Sequence, residues 1–368
     1  MKVISAEIFH IQLPMKFPFV TGFGAISKRD AIILKLTDEN GLVGWGEGAA
    51  LWGPVYLEES AMTNVHVIKD FLVPILKDIE ISHEEYVKKS TYIRGNNLAK
   101  FAVDTAIWSI DSQISKKPIY KLIGGVRKQI PVGESIGMVE SITKLLEIVE
   151  KRMSEGYQRI KLKIKPEHDY EYVSIVRRAF PKLKIMVDAN SSYSLDQIDL
   201  LKKLDELGLM MIEQPLAYDD IIDHATLQKQ LKTPICLDES ILSAEDARKA
   251  CEIGACKIIN VKPGRVGSLD ECIKINEVAK KFKIQLWLGG MLETGIGKSY
   301  NLMAASLSEF TLPADVSPSK TFFDEGITDP DVQVSSKGFV EVPAEVGLGF
   351  KVFEEKIEKY KIGHYKIF

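Results

Sequence analysis

The sequence predicts an α/β protein in which an N-terminal α+β domain is followed by a closed parallel barrel. Three observations support this prediction. The first 125 residues contain a group of strand patterns followed by a group of helix patterns, which is typical of an α+β domain. From about residue 130, eight short apolar stretches alternate with amphipathic stretches. Charged residues then recur at a constant spacing at the ends of successive apolar stretches.

The N-terminal domain is predicted from two kinds of hydrophobic pattern. The stretches MKVISAEIFHIQL, AIILKLTDENG and LVGWGEG have strand character, and DENG is a turn that would close a hairpin. Residues 58–77 and 97–114 have apolar side chains three and four positions apart, as in amphipathic helices.

The barrel is predicted from strict alternation. The intervening stretches, such as SITKLLEIVEKRMSEG, have helical periodicity, so an open doubly wound sheet is the alternative architecture. The predicted strands are 131–136, 159–164, 183–188, 209–213, 234–238, 257–261, 285–289 and 311–315.

The remaining tail returns to strands and turns, and we expect it to fold back onto the N-terminal domain. Its last residues, KVFEEKIEKYKIGHYKIF, have mixed charges and a helix-like pattern. We therefore predict a capping domain over residues 1–125, a barrel over 126–324 and a segment over 325–368 that completes the cap.

Composition and charge restrict the class of partner. The chain has 368 residues with 45% hydrophobic side chains and a formal net charge of −3, so no basic surface favours nucleic acid. No apolar run approaches the length of a membrane span, and the N-terminus lacks the pattern of a signal peptide. The four cysteines form no CxxC pair and are predicted to be reduced thiols of a cytoplasmic protein. The expected partner is a small molecule.

Five charged residues follow the predicted strands at one spacing. Lys163, Asp188, Glu213, Asp238 and Lys262 lie at intervals of 25, 25, 25 and 24 residues. One β/α unit has about this length, so the five residues occupy equivalent positions in successive units. Equivalent positions meet at one mouth of a barrel, where the catalytic residues of barrel enzymes lie. The alternative, three unrelated acids in surface loops, does not explain the common spacing.

Three neighbouring carboxylates predict a metal site. At 4 Å and an effective dielectric constant of ~20, each pair of like charges costs about 4 kcal/mol. A divalent cation with oxygen ligands removes this repulsion, and carboxylates from separate strands suit Mg²⁺. The sequence therefore predicts that Asp188, Glu213 and Asp238 bind Mg²⁺, with Mn²⁺ as a substitute.

The stretch RIKLKIKP places lysines on one face of a strand and aliphatic side chains on the other. An edge strand with its lysines in water is one interpretation. The carboxylates beyond this strand favour another, in which Lys161 and Lys163 point into the mouth and Lys165 remains in solvent. A metal ion and a second ammonium group disfavour the charged form of an amine, which suits a general base.

This set of groups suits removal of a proton next to a carboxylate. A cation that holds the carboxylate stabilises the negative charge that develops, and a lysine takes the proton. Because Lys163 and Lys262 flank the three acids, they are expected to approach the substrate from opposite faces. Such a site permits proton removal and return, or proton removal followed by loss of a β-hydroxyl group.

The motifs resemble those of the enolase superfamily, muconate-lactonising subgroup, and most closely the o-succinylbenzoate synthase / N-acylamino-acid racemase family. The resemblance covers nearly the whole chain. It lies in FPFVTGFG, KLKIKP, VDAN, MIEQP, PICLDESI, INVKPGRVG, GGMLETGIG and FTLPAD.

The resemblance implies a modified TIM barrel, (β/α)7β, under an α+β capping domain. It implies catalytic roles for Lys163 and Lys262, with Lys161 beside them, and Mg²⁺ on the three acids. It also implies substrate contacts from the mobile loop FPFVTGFG and from the barrel. The expected substrate-binding residues are Phe19, Phe23, Ser135, Arg265, Met291 and Leu292, of which Arg265 is similar to an arginine associated with racemising members.

The implied reaction is dehydration of 2-succinyl-6-hydroxy-2,4-cyclohexadiene-1-carboxylate to o-succinylbenzoate in menaquinone synthesis. The alternative is racemisation of N-acyl or N-succinyl amino acids in the same site, and one protein can perform both. Dipeptide epimerase and muconate cycloisomerase are less favoured, as is a barrel that has lost catalysis. A homo-oligomer is expected. The stretch GIGKS imitates the end of a phosphate loop, but Leu292 replaces the required glycine, so a helix cap is the better interpretation.

Overall fold

The structure, a computed structural model, describes residues 1–21, 24–139 and 141–368. In this part of the chain there are an antiparallel sheet that begins in the N-terminal region, a largely parallel sheet that forms a nearly closed barrel, and a small two-stranded sheet near the C-terminus. The predicted α/β class, with a barrel and an α+β cap, is confirmed. No helix in the described ranges has the length and apolarity needed to cross a membrane.

The N-terminal region begins with a long hairpin whose strands are buried on both faces along residues 8–11 and 29–34. The helices that follow pack their apolar faces on this sheet and form a separate hydrophobic core with it. Its elements are β1 (Val3–Thr21), β2 (Gly24–Asp38), β3 (Val43–Gly48), α1 (Ala61–Val67), a π-helical turn (Ile68–Leu72), a 3-10 turn (Val73–Leu76), α2 (His83–Ser90), α3 (Asn97–Ser115) and α4 (Ile119–Leu122).

The barrel strands run parallel and pair in the order β10, β9, β8, β7, β6, β5, β4, β11. The strands are β4 (Gln129–Ile136), β5 (Ile160–Lys163), β6 (Ile185–Asp188), β7 (Ile212–Glu213), β8 (Ile235–Leu237), β9 (Ile258–Val261), β10 (Gln285–Leu288) and β11 (Ala314–Asp315). Each lies inside or within two residues of a predicted strand, so the predicted alternation is confirmed.

Helices connect these strands and bury their apolar sides against the barrel. They are α5 (Ile142–Ser154), α6 (Tyr170–Ala179), a 3-10 turn (Leu195–Gln197), α7 (Ile198–Asp205), α8 (Ile222–Gln228), α9 (Ala244–Ile253), α10 (Pro263–Val266), α11 (Leu269–Phe282) and α12 (Gly295–Ala305). The GIGKS stretch opens α12, where the Thr294 hydroxyl accepts a hydrogen bond from the Ile296 amide at 3.2 Å.

Two predictions about local structure are wrong. Residues 58–77 do not form one regular helix. The α-helix starts after Ser60 and passes into a π turn and then into a 3-10 turn that ends at Leu76. Pro74 lies in this last turn and lacks an amide donor. The C-terminal run is only partly helical, since its final residues pair with β1 as a strand. The elements that follow β11 are a 3-10 turn (Ser319–Thr321), β12 (Thr328–Asp329), β13 (Phe339–Glu341), β14 (Lys351–Val352), α13 (Glu354–Tyr360) and β15 (Lys361–Lys366).

We propose the predicted domain boundaries, 1–125, 126–324 and 325–368, for this architecture. The pairing of β15 with β1 supports a tail that completes the cap. The same tail also contacts the barrel, because β13 adds antiparallel to β4.

Buried charged side chains of the cap hold the loop after β10. The Glu47 carboxylate accepts hydrogen bonds from the amides of Thr294 at 3.0 Å and Gly297 at 2.8 Å, so it caps the N-terminus of α12. Arg29 donates to the carbonyl oxygens of Met291 at 3.2 Å and Leu292 at 3.1 Å. The cap therefore fixes this barrel loop through groups that have no contact with water.

In the cap, the backbones of β3 and α3 lie very close to each other. Gly46 faces the backbone of α3, and a Cβ atom built there would lie 1.8 Å from the carbonyl oxygen of Ala102. The strand can lie against this helix only because the residue has no side chain.

We predict that Gly46→Ala lowers the free energy of unfolding by about 1–3 kcal/mol or more, because the added methyl group displaces one backbone from another. Urea unfolding followed by circular dichroism measures this loss. Gly53→Ala is the matched control, since the nearest atom to its added Cβ lies at 4.0 Å. Equal unfolding midpoints for the two variants would contradict the packing described here.

Candidate active site

The strand ends bring the predicted residues together at one mouth of the barrel. Lys163 pairs in register with Asp188, and Asp188 pairs with Glu213. Asp238 directly follows β8, and Lys262 follows β9 as the N-cap residue of α10. The constant spacing in the sequence thus corresponds to adjacent positions around the mouth.

The lysine-bearing strand is an interior strand. Residues 160–163 lie between β4 and β6, and all four are buried. Lys161 and Lys163 are 4% and 7% exposed, whereas Lys165 is exposed to solvent. The inward orientation of the first two lysines is confirmed, and the edge-strand interpretation is excluded.

Lys161 lies among three carboxylates. Its ammonium nitrogen is 2.9 Å from Asp315, 3.2 Å from Glu213 and 3.4 Å from Asp188. Burial favours the neutral amine, but Asp315, Glu213 and Asp188 outweigh burial, so the pKa of Lys161 is raised. Lys161 therefore balances the buried negative charge. Its predicted influence on Lys163 stays a prediction.

The two candidate acid/base lysines each contact one acid. The Lys163 ammonium donates to Asp188 at 2.6 Å and to the side-chain oxygen of Asn190 at 2.7 Å. The Lys262 ammonium donates to Asp238 at 2.8 Å and to the Tyr56 hydroxyl at 2.9 Å. Both lysines line a cavity whose walls come from the barrel and the cap.

Asp238 is held by groups from the barrel and the cap. Arg265 forms an ion pair with one carboxylate oxygen, and Tyr56 donates to the same oxygen at 3.1 Å. Arg265 also donates to the carbonyl oxygen of Ile241 at 2.9 Å, and it is completely buried. Arg265 thus reaches Asp238 from behind and is not among the residues that line the cavity.

The electrostatics of these acids suit a divalent cation. Asp188, Glu213 and Asp238 are at most 1% exposed, and their oxygens are the hard ligands that such a cation prefers. Burial, and then the neighbouring Asp188, raise the pKa of Glu239 to about 7. One buried oxygen of Glu239 has no hydrogen-bond partner among the described residues.

The ammonium groups now stand between the acids. No three His, Cys, Asp or Glu side chains are gathered into a metal-binding group in the parts of the chain that the structure describes. Lys161 lies between Asp188 and Glu213, Lys163 contacts Asp188, and Lys262 contacts Asp238. The carboxylate oxygens are donor atoms that fit a divalent cation, and in the structure ammonium groups balance their charge.

The predicted substrate-binding residues divide into three groups. Phe19, Met291 and Leu292 line the cavity together with Lys163 and Lys262, and Ser135 lines its polar side. Arg265 lies behind Asp238, as described above. Phe23 lies outside the described residues, so its role in a closing loop stays a prediction.

Three residues of the site were missed in the sequence: Tyr56, Asn190 and Asp315. Tyr56 comes from the cap, and nothing in the stretch PVYLEES places it beside Lys262. Asn190 lies two residues after Asp188 in VDAN, and this position could have identified it as a residue of the barrel mouth. Asp315 ends the last predicted strand, as Asp188 ends an earlier one, so its position could have identified it too.

Asp315 neutralises two buried cations. It accepts a hydrogen bond from Arg159 at 2.7 Å, lies 2.9 Å from the Lys161 ammonium and accepts from the Ser135 hydroxyl at 2.8 Å. Burial opposes its ionisation, but Arg159 and Lys161 outweigh burial and hold the pKa of Asp315 well below its usual range. Its charge therefore stabilises the folded chain at neutral pH.

We predict that Asp315→Asn lowers the free energy of unfolding by about 3–5 kcal/mol at neutral pH, since two buried cations lose their shared carboxylate. A depressed pKa stabilises the fold above the unfolded value of 3.8 and loses this effect as the pH falls through the folded value. The difference between the wild type and the variant should therefore shrink below about pH 4. Urea unfolding at several pH values measures it, with exposed Asp324→Asn as the control. A constant difference across pH would contradict the role given to this charge.

Comparison with known proteins agrees with this geometry. Residues 3–124 match the family described as "Mandelate racemase / muconate lactonizing enzyme, N-terminal domain", and residues 144–356 match "Enolase C-terminal domain-like". The o-succinylbenzoate synthase of Geobacillus stearothermophilus is 44% identical over 95% of this chain and 94% of that protein. The N-succinylamino acid racemase of Thermus thermophilus is 42% identical over 95% of this chain and 94% of that protein.

Solved structures show the same relationship. An enolase superfamily member from Listeria innocua superimposes with a TM-score of 0.95 at 40% identity, covering 100% of this chain and 99% of that one. Enzymes of this family generally depend on a divalent metal ion. With family matches at both ends and relatives along nearly its whole length, the chain belongs to the enolase superfamily, in the mandelate racemase / muconate lactonizing enzyme family.

Proposed function

We propose that the protein is an o-succinylbenzoate synthase that also racemises N-succinylamino acids in the same site. One observation carries this proposal: Lys163 and Lys262, on strands that flank the three acid-bearing strands, line one cavity. Relatives of both names, at 44% and 42% identity, support it.

The chemistry begins with a proton next to a carboxylate. Lys163 or Lys262, as the neutral amine, is placed to take this proton from one face of the substrate. The opposite lysine, as the ammonium, then lies near the other face, where it stabilises negative charge or returns a proton.

The two reactions use these lysines differently. In dehydration, one lysine removes the ring proton and then, as the ammonium, gives a proton to the β-hydroxyl group, which leaves as water and makes the ring aromatic. In racemisation, one lysine removes the α-proton and the other donates a proton to the opposite face. The first reaction needs one base and a nearby charge, whereas the second needs both lysines as proton carriers.

We also propose that Asp188, Glu213 and Asp238 bind Mg²⁺, with Mn²⁺ as a substitute. Their full burial, their oxygen donors and the unpartnered oxygen of Glu239 support this assignment. When bound, the ion supplies positive charge that stabilises the substrate carboxylate as the proton leaves.

The cellular setting follows from the same proposal. Dehydration would yield o-succinylbenzoate for menaquinone synthesis, in the cytoplasm and in a homo-oligomer. All four cysteines are free thiols, three of them buried, which is consistent with a reducing compartment.

The two-base prediction is tested with single lysine variants. Lys163→Ala and Lys262→Ala should each reduce racemisation of an N-succinylamino acid by at least about 10²–10⁴-fold, because each enantiomer needs a different lysine as base. In D₂O, proton NMR should show that each variant still exchanges the α-proton of one enantiomer.

Lys165→Ala is the matched control, since this lysine lies on the same stretch but is exposed. It should retain racemisation at the wild-type rate. Rapid racemisation by either the Lys163 or the Lys262 variant would rule out two opposed bases.

Metal dependence is tested by chelation. Treatment with EDTA should abolish both reactions, and added Mg²⁺ or Mn²⁺ should restore them. Asp238→Asn should weaken binding of Mg²⁺ in a calorimetric titration, because a charged ligand is lost. Full turnover by a chelated sample, shown to be free of metal by elemental analysis, would contradict the assignment.

A further inference from the structure

The cavity between the cap and the barrel has two lobes that meet at the reactive lysines. Phe19, Lys163, Lys262 and Leu292 line both lobes. The first lobe is apolar, with walls that include Ile26, Ala49, Leu51, Leu57, Leu98 and Met291. The second lobe is polar, and its walls include Glu134, Ser135, Glu293, Lys298, Asp315 and Ser317. A substrate that reacts at the junction therefore has one apolar part and one polar part.

Most charged groups of the polar lobe already have a partner. The Glu134 carboxylate lies 3.6 Å from Arg152 and accepts a hydrogen bond from Ser317. Glu293 accepts from the Met291 amide at 2.7 Å and from the side chain of Asn301 at 2.9 Å. Asp315 is paired with Arg159 and Lys161, as shown above. These acids present little free negative charge to a ligand.

Lys298 is the exception among the charged side chains that line this lobe within the described ranges. It lies in the second turn of α12 and is 6% exposed. No carboxylate of the described residues lies within 4.0 Å of its ammonium nitrogen. Among the described residues, its ammonium group donates a hydrogen bond of 3.3 Å to the Ser319 hydroxyl. An ammonium group has three N–H donors, so two remain for a ligand.

The Lys298 side chain is held by a fixed neighbour, and the nearby acids do not contact its ammonium group. Ser319 is itself fixed, because its hydroxyl donates to Asp331 at 2.8 Å. Burial lowers the pKa of Lys298, although Asp331 and Glu293 oppose this effect from a distance. A buried cation without an adjacent anion is costly, and a bound anion removes that cost.

We propose that Lys298 binds the second carboxylate of a dicarboxylate substrate whose first carboxylate is borne by the carbon that reacts between Lys163 and Lys262. This inference rests on the proposed function and defines its substrate class: an acid with an apolar group on one side and a chain ending in a second carboxylate on the other. A succinyl group meets this description in both reactions. The apolar lobe receives the ring or the amino-acid side chain, and the polar lobe receives the succinyl chain.

The experiment compares a charged acyl group with an uncharged one of the same size. N-succinyl-phenylglycine and its terminal amide, N-succinamoyl-phenylglycine, are assayed with wild type, Lys298→Met and Lys298→Arg. We expect Lys298→Met to lower kcat/KM for the succinyl substrate by about 10–100-fold, mainly through KM, as for loss of a charge-assisted hydrogen bond. The amide substrate should change little, and Lys298→Arg should recover part of the loss. Exposed Lys320→Met is the matched control.

A binding measurement separates this inference from the proposed function. Calorimetry with o-succinylbenzoate and Mg²⁺ should show affinity about 10–100-fold weaker for Lys298→Met than for wild type. Equal affinities, or equal losses of kcat/KM with both substrates, would overturn the role of Lys298 and assign it to stability alone. A wild type that binds the ligand through Lys298 but turns over neither substrate would instead overturn the proposed reactions. Discrimination between the two substrates by wild type tests the charge preference even if a variant does not fold.

Discussion

The site depends on the balance of charge in a mouth closed to water. Asp188, Glu213 and Asp238 would repel one another strongly if they were buried alone. In the structure, Lys161, Lys163, Lys262 and Arg265 supply the opposing charge. The same arrangement prepares the chemistry, since a cation on the acids would release the ammonium groups that now balance them. In the proposed mechanism, Lys163 and Lys262 then turn from ion pairing to proton transfer.

The cap contributes to this site in two ways. It supplies Tyr56, which joins Lys262 and Asp238, and Phe19, which lies at the junction of the two lobes. It also fixes the loop after β10 through Arg29 and Glu47. Because α12 begins in that loop, the contacts of Glu47 also position the helix that carries Lys298. Catalysis and substrate selection thus share one set of buried contacts between the cap and the barrel.

Patterns repeated along the chain could be predicted from the sequence, whereas contacts between distant segments could not. The common spacing placed Lys163, Asp188, Glu213, Asp238 and Lys262 at one mouth, because a barrel converts a repeat in sequence into a ring in space. No repeat connects Tyr56 with Lys262, so this contact was missed. The stretch 58–77 was predicted as a single helix. Apolar spacing alone does not show that the α-helix changes to π and 3-10 turns around Pro74. Lys298 was not singled out as a ligand-binding residue. Only the packing of the described residues shows that its buried ammonium group forms no ion pair with them.

The central claim is that one site holds the carbon that bears a substrate carboxylate between two opposed lysines. A crystal structure of the protein with Mg²⁺ and o-succinylbenzoate measures this most directly. We expect the ring carboxylate to lie at the barrel mouth beside the three acids. The amine nitrogens of Lys163 and Lys262 should lie on opposite faces of the ring carbon that bears this carboxylate. A ligand bound away from the mouth, or one with both lysines on the same face, would contradict the account.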